Sequence, residues 1–392
     1  MKVLCVVHYA NFGGPHNEAL RLREPLRRRG WEVEVAIPAE PGSAAARLEA
    51  GGVPVHLLPL SRLRASPDPR LLVRFARDFG PSVRRLEDVI AATEADVVQI
   101  GGLVNPHAAF AARRRGAAVV WQVVDSRAPA PLRRVAMPFV RRLADAVMFD
   151  GEALIELHGG RESLRAAAFV YFPPVDAARF EPSPEHRREV REELGIPPDA
   201  PVVGTVSSLN PMKGVEHFVD AAAQIAASRP DTRFVVVGGA PESHRAYEEQ
   251  LRRRADELAL PDPVVFTGER TDVERWYPAF DVHVIASLPR SEGTTTTAME
   301  AQSCGVPVVA ARVAAVAEVV DDGVTGMLVP PEQPGAIAGA VLRLLGDDDL
   351  RSRMGAAGRT AAIERFDAEH AADVYVQAYA AALAHAAARA AT

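Results

Sequence analysis

Residues 291–310 read SEGTTTTAMEAQSCGVPVVA, with Thr294, Thr295, Thr296 and Thr297 standing between Glu292 and Glu300. Threonine suits the middle of a helix poorly. At a helix start its hydroxyl can bond the backbone N–H groups that have no partner within the helix. Ala298 to Gln302 then propagates a helix, Gly305 suits the position just past its end, and Pro307 forbids continuation. The stretch therefore predicts a loop, a helix N-terminus, a short helix and a strand. Unpaired amides, added hydroxyls and the helix dipole make an anion site, and phosphate is its usual guest. Carboxylates bind phosphate poorly but accept hydrogen bonds from neighbouring sugar hydroxyls. A phosphate cradle between two such carboxylates implies a nucleotide-sugar, with a sugar on each side of its diphosphate. A plain threonine-rich helix start, with two glutamates eight apart by chance, stays open on these residues alone.

One cation also stands out. Of the 45 lysines and arginines only Lys2 and Lys213 are lysines. Lysine is a compact point charge on a thin stem and fits narrow phosphate sites where arginine does not.

These residues need elements to position them. Short apolar runs at 3–7, 33–37, 55–58, 97–100, 119–124 and 146–149 read as buried strands. Helical patterns at 17–29, 71–93, 106–115 and 132–145 lie between them. That alternation is the signature of a doubly wound parallel sheet. It restarts after a proline- and charge-rich segment, with strands at 202–206, 234–237, 264–267, 282–286 and 307–310. Helices near 215–227, 243–258, 295–304 and 336–345 separate those strands. The expected division is a first α/β domain over 1–180, a linker over 181–200, a second α/β domain over 201–366 and an alanine-rich helical tail over 367–392. The tail is a candidate to cross back to the first domain. Open sheets of this kind bind ligands outside the carboxyl ends of their strands, so two facing domains leave a cleft.

The totals fit two soluble cores. The 392 residues are 48% hydrophobic and 24% charged, with no apolar run long enough to span a membrane. The first apolar run is too short for a signal peptide, and Cys5 and Cys304 form no ligand cluster, so a reducing cytoplasm is expected. Charge is uneven. Residues 1–180 carry 25 basic against 19 acidic side chains, and residues 181–392 carry 20 against 32. A basic first half fits solvated helix faces, and also an anionic surface or substrate.

Beyond Glu292 and Glu300, further motifs recur in a fixed order: Lys213-Gly214, Val235-Val-Val-Gly-Gly239, Val265-Phe-Thr-Gly268, Phe280-Asp-Val282, Gly305-Val-Pro307, Glu318-Val-Val320, Asp322-Gly323 and Thr325-Gly-Met-Leu-Val-Pro330. Gly13-Gly14 and Pro174-Val-Asp176 with Arg179-Phe180 precede them. This set resembles the retaining glycosyltransferases of family four, with their E-x7-E motif and two-domain GT-B fold. The resemblance covers nearly the whole chain.

It implies roles. Lys213 meets the donor diphosphate, and amides and hydroxyls of Gly293, Thr294, Thr295, Thr296 and Thr297, with the amides of Gly13 and Gly14, complete the cradle. Glu292 holds the donor sugar, Glu300 holds the ribose, and Arg270 falls where the family lines the base pocket, largely with backbone groups. Gly238-Gly239 reads as structural. The donor is UDP- or GDP-linked, and neither metal nor separate cofactor is implied. The acceptor, whether a small natural product, a polyol phosphate or a lipid-linked sugar, stays open. There are three departures. Ser208 stands where the family has a second cation, five residues before Lys213. Glu292-Gly-Thr-Thr295 replaces the usual E-G-F-G. Gln99 to Gly102 stands where many members have histidines, leaving His107, His16, Asp125 and Arg127 as acceptor candidates; His107 could instead cap its helix.

Pro131 to Arg142 interleaves cations and apolar residues like an interfacial helix. Packing on the sheet is the favoured reading there, and membrane contact is not. A non-catalytic nucleotide-sugar binder and an epimerase of the same fold are the alternatives to transfer. A dinucleotide oxidoreductase is set aside, because no G-x-G-x-x-G follows a strand.

Overall fold

The computed structural model describes every residue except 63–67, 125–127, 259, 290–293, 314–315 and 392. The chain forms two compact units, Met1–Pro174 with Ala368–Thr392, and Val175–Asp367.

In the first unit β1 (Lys2–Val6), β2 (Glu32–Pro38), β3 (Val55–Leu58), β4 (Val97–Gly101), β5 (Ala118–Val123), β6 (Ala146–Asp150) and β7 (Ala167–Tyr171) form one parallel sheet. Its order is β3-β2-β1-β4-β5-β6-β7, with Val3 registered against Val33 on one side and Val97 on the other. Between the strands run α1 (Gly14–Arg28), α2 (Ala44–Ala50), α3 (Pro69–Thr93), α4 (Pro106–Arg115), α5 (Ala130–Leu143) and α6 (Glu152–Leu157). Helices cover both faces, so β4, β5 and β6 are buried at every position and read as continuous apolar runs without alternation. One face packs Leu4, Val98, Trp121 and Phe149 in a single core.

In the second unit β8 (Val202–Val206), β9 (Arg233–Val237), β10 (Val265–Phe266), β11 (Val282–Ile285), β12 (Val308–Ala311) and β13 (Gly326–Val329) form a parallel sheet in the order β10-β9-β8-β11-β12-β13. Its helices are α7 (Pro184–Glu193), α8 (Val215–Ser228), α9 (Arg245–Glu257), α10 (Thr296–Ser303), α11 (Val316–Val319), α12 (Pro334–Leu345) and α13 (Asp348–Ala361). The doubly wound class expected from the sequence holds in both sheets.

The last helix, α14 (Ala368–Ala390), belongs to the first unit. Its alanines let it lie close on the second face of that sheet, where Tyr375 and Tyr379 join Val3, Val35 and Met148 in one core. A buried polar chain ties it down. Tyr379 donates to Gln99 at 2.5 Å, Gln99 donates to Gln122 at 2.9 Å, and Gln122 donates to Glu18 at 2.8 Å, with Tyr375 donating to the same carboxylate. Burial raises Glu18 to about 7. At the surface Arg29 pairs with Glu369 and Asp373, each at 2.7 Å.

Segment 181–200, expected as a linker, instead contains α7 within the second unit. Ser183 caps it by accepting from the amide of His186 at 3.1 Å. Arg191, only 3% exposed, and Arg187 both pair with Asp281 at the start of β11, at 2.9 and 2.7 Å. Among the described residues no helix is long and apolar enough to cross a membrane.

Candidate functional site

Strand order reverses between β8 and β11 in the second unit, and the crevice outside their carboxyl ends is where such sheets bind ligands. The loop after β8 carries Ser208 and Lys213. The loop after β11 leads to Thr294 and α10. The topology thus brings the Lys213 loop and the strand that precedes α10 to one switch point.

The Lys213 turn is built by its neighbours. Asn210 accepts from the amide of Met212 at 3.1 Å, Pro211 opens a single 3₁₀ turn, and the Lys213 amide donates to the Asn210 carbonyl at 2.9 Å. Gly214 closes it in the left-handed region at φ 59°. The turn is pressed against the end of β11. The amide of Leu288 donates to the carbonyl of Met212 at 2.9 Å, and a Cβ on Gly214 would stand 2.2 Å from the carbonyl oxygen of Ala286. Only glycine fits there. Gly214→Ala is therefore expected to lower the melting temperature by several degrees and to cut activity by shifting Lys213. An active variant with wild-type stability would show that this approach does not set the lysine.

Lys213 itself is half-buried, and Ser208 is exposed. Gly238, as expected, is structural: its φ is 135°, and a Cβ would meet the Ser207 carbonyl oxygen at 1.9 Å.

Helix α10 begins as the threonine run predicts, with Thr295 as its N-cap. The hydroxyls behave differently from the expectation. Thr295 makes no side-chain bond to the helix amides; its hydroxyl lies 3.0 Å from that of Thr297. The cap residue therefore does not compete for the amides of the first turn. The other end of α10 is anchored. Arg359 donates to the carbonyl of Ser303 at 2.6 Å and to that of Phe180 at 2.8 Å, a cation placed where the helix dipole favours it.

Glu300 lies on α10 and accepts from the hydroxyl of the fully buried Tyr277 at 2.8 Å. At 5% exposure it sits deeper than expected for a carboxylate that meets a ligand. Tyr277 packs edge-on against His283 at 5.4 Å, so the carboxylate is held by an aromatic layer. Glu292 and Gly293 lie outside the described residues.

Arg270, expected where backbone groups largely line a base pocket, has its side chain engaged within its own loop. Its guanidinium is bidentate on Asp272, both contacts at 2.9 Å, and stacks 4.8 Å over the ring of Trp276. That ion pair holds the Asp272 carboxyl well below the usual range.

In the first unit Gly13 is the N-cap of α1, and a Cβ there would crowd the Tyr9 ring at 3.2 Å; at Gly14 nothing lies within 4 Å. His16, expected beside an acceptor, is fully buried and accepts from the Gly13 amide through Nδ1 at 3.2 Å. It is a helix cap. His107 is also fully buried, packed edge-on against Phe75 and Phe79 at 6.4 and 6.2 Å, with no hydrogen-bond partner at either nitrogen among the described residues. Enclosed in this way it does not cap α4, whose N-cap is Asn105. Asp125 and Arg127 lie outside the described residues.

Burial lowers His16 and His107 to about 4 and His283 to about 3. In the unfolded chain these groups gain protons below about 6.5 that the folded chain refuses. Stability is therefore full above that pH and falls as pH drops toward 4, by up to about 1.4 kcal/mol per pH unit per histidine. His107→Phe, which also removes two partnerless buried nitrogens, is expected to raise the melting temperature and blunt the acid loss. It should leave sugar transfer within about twofold. A tenfold loss of transfer at unchanged stability would return His107 to the acceptor site.

Residues 13–174 match the family described as glycosyl transferase 4-like domain, and residues 186–361 match glycosyl transferases group 1. A GDP-mannose-dependent alpha-(1-6)-phosphatidylinositol monomannoside mannosyltransferase of Mycolicibacterium smegmatis is 32% identical over 76% of this chain and 77% of its own length. The chain belongs to the group 1 glycosyltransferases. A D-inositol 3-phosphate glycosyltransferase of Catenulispora acidiphila is 41% identical over 44% of this chain, a match spanning less than half, 41%, of that protein's length. Among solved structures, Anabaena Alr3699/HepE in complex with UDP aligns over 96% of this glycosyltransferase and 99% of its own chain, with TM-score 0.80 and 24% identity. That likeness shows the GT-B fold.

Proposed function

We propose that this glycosyltransferase moves a sugar from a nucleotide-diphosphate donor to an acceptor hydroxyl with retention of anomeric configuration. The observation that carries the reading is the Lys213 turn pressed against the end of β11 at the β8/β11 switch point, with α10 as the next helix after that strand. Lys213 neutralises the diphosphate beside the α10 amides, Glu300 holds ribose hydroxyls, and Glu292 holds the donor sugar. As the bond from the anomeric carbon to phosphate oxygen breaks, its electron pair passes to the leaving phosphate. The acceptor oxygen bonds the anomeric carbon from the same face, and its proton goes to that phosphate. Stabilising the leaving charge is the main service of the protein.

Support for the donor class comes from HepE, which is solved with UDP, and from the mannosyltransferase, named for GDP-mannose. The names of the relatives make a polyol phosphate or its lipid-linked form the first acceptors to try. The test is a panel of UDP- and GDP-sugars scored by thermal stabilisation, followed by incubation with D-inositol 3-phosphate and NMR of the product's anomeric proton. Retained configuration is expected. Stabilisation by a donor with neither transfer nor donor hydrolysis would make the chain a binder, and an inverted product would overturn the same-face mechanism.

A further inference from the structure

Helix α5 has two faces of different character. Ala136, Met137 and Val140 are buried against the sheet, which accounts for the apolar residues that packing requires. The opposite face, Arg134, Val135, Pro138, Phe139 and Arg142, is exposed. Val135 is 57% and Phe139 38% exposed, and Leu157 at the end of α6 adds a third apolar side chain at 38%. No acidic residue occurs anywhere in α5.

Pairing sets this face apart from the neighbouring basic surface. Arg114 and Arg115 on α4 meet Glu87 and Asp88 at 3.2 and 3.9 Å, as solvated surface cations commonly do. Among the described residues neither Arg134 nor Arg142 has an ion-pair partner. Between α5 and α6 runs an open groove of about 370 Å³ in which Arg133, Arg134 and Arg141 lie beside Leu157.

We infer that this face docks on an anionic lipid bilayer. Val135, Phe139 and Leu157 enter the headgroup boundary, and the unpaired arginines meet lipid phosphates, the groove taking one headgroup. Apolar burial combined with cation attraction is what holds an interfacial helix, and neither suffices alone. A soluble protein partner would have to bring matching acids, whereas an anionic membrane supplies negative charge over its whole area. The inference is independent of which acceptor the enzyme uses, because it concerns a surface and not the donor site.

The test is vesicle flotation of the full chain with phosphatidylcholine alone and with phosphatidylcholine containing three-tenths phosphatidylglycerol. Binding is expected only to the anionic vesicles and should weaken with added salt. Arg134→Ala and Arg142→Ala should each weaken it about fivefold, and Val135→Ser with Phe139→Ser should abolish stable retention. All four positions are exposed, so melting temperatures should hold and confirm folded variants. Equal binding to neutral vesicles, no binding to either, or binding unmoved by these variants would overturn the inference. Salt-insensitive self-association lost in Val135→Ser/Phe139→Ser would assign the face to a second copy of the chain instead.

Discussion

Lys213→Ala is expected to lower sugar-transfer turnover by roughly 10²- to 10³-fold while moving the melting temperature by less than about 2 °C. The two effects separate because the turn does not depend on the lysine side chain. Asn210 caps it with its side-chain oxygen, Pro211 fixes its first residue, and Gly214 lets it approach β11. Truncation at 213 thus removes a charge and leaves the scaffold. That charge counts most in the transition state, when the diphosphate gains a negative charge that the ground-state donor shares with its sugar. The family's second cation is absent here, Ser208 being small, neutral and exposed. If Lys213 meets the diphosphate as proposed, it carries a larger share with one cation fewer, so Ser208→Arg is expected to restore part of the turnover lost in Lys213→Ala. Lys213→Arg should rescue poorly, because a planar fork does not occupy the place of a point charge. Measuring kcat alongside thermal melts checks all three. Matching losses of turnover and stability in Lys213→Ala would make the lysine structural.

The turn at Lys213 and the start of α10 were legible because backbone chemistry leaves strong marks. Asn-Pro-Met-Lys-Gly carries its own cap, its N-terminal proline and its left-handed exit. The threonine run followed by Gly305 and Pro307 brackets α10. Sheet class was equally plain, since strands buried on both faces appear as unbroken apolar runs. What stayed hidden depends on long-range partners. Segment 181–200 holds few apolar residues, and α7 is fixed by Arg187 and Arg191 reaching Asp281 some 90 residues away. Strand β7 is apolar throughout but opens on the alanine run 166–168, which suits a helix as well, and β13 is four residues preceded by a turn. Histidines mislead for a related reason. His16 and His107 follow loops where ligands gather, yet one closes a helix and the other fills an aromatic pocket. For His16 a signal was available: Gly13 and His16 stand at N-cap and third helical position, the spacing of a reciprocal cap. For His107 none was, because a neutral imidazole in a core leaves no mark in one sequence. Arg270 had its clue in Asp272, two residues on.

The two glutamates should fail in different ways. Glu300→Ala is expected to weaken binding of free UDP or GDP, whichever the wild type prefers, by roughly 10- to 100-fold, the loss of charge-assisted bonds to ribose hydroxyls. Part of any effect will be indirect, because Tyr277 is fully buried and loses the carboxylate it donates to. Losing that buried bond costs about 1–3 kcal/mol of stability. Tyr277→Phe isolates this contribution: it breaks the same 2.8 Å bond while keeping Glu300, so it should alter nucleotide affinity far less than Glu300→Ala does. Glu300→Gln should lie between them, since an amide oxygen still accepts from Tyr277 but carries no charge. Glu292→Gln, by contrast, is expected to leave nucleoside diphosphate affinity within about twofold and to cut sugar transfer by roughly 10- to 100-fold, because the partners proposed for it are donor-sugar hydroxyls that the free nucleotide lacks. Calorimetric titration of the nucleotide and steady-state transfer rates read the two quantities separately. If Glu292→Gln and Glu300→Ala lose nucleotide affinity alike, ribose and donor sugar are not divided between these carboxylates. If Tyr277→Phe matches Glu300→Ala, the buried carboxylate serves the aromatic layer and not the ligand.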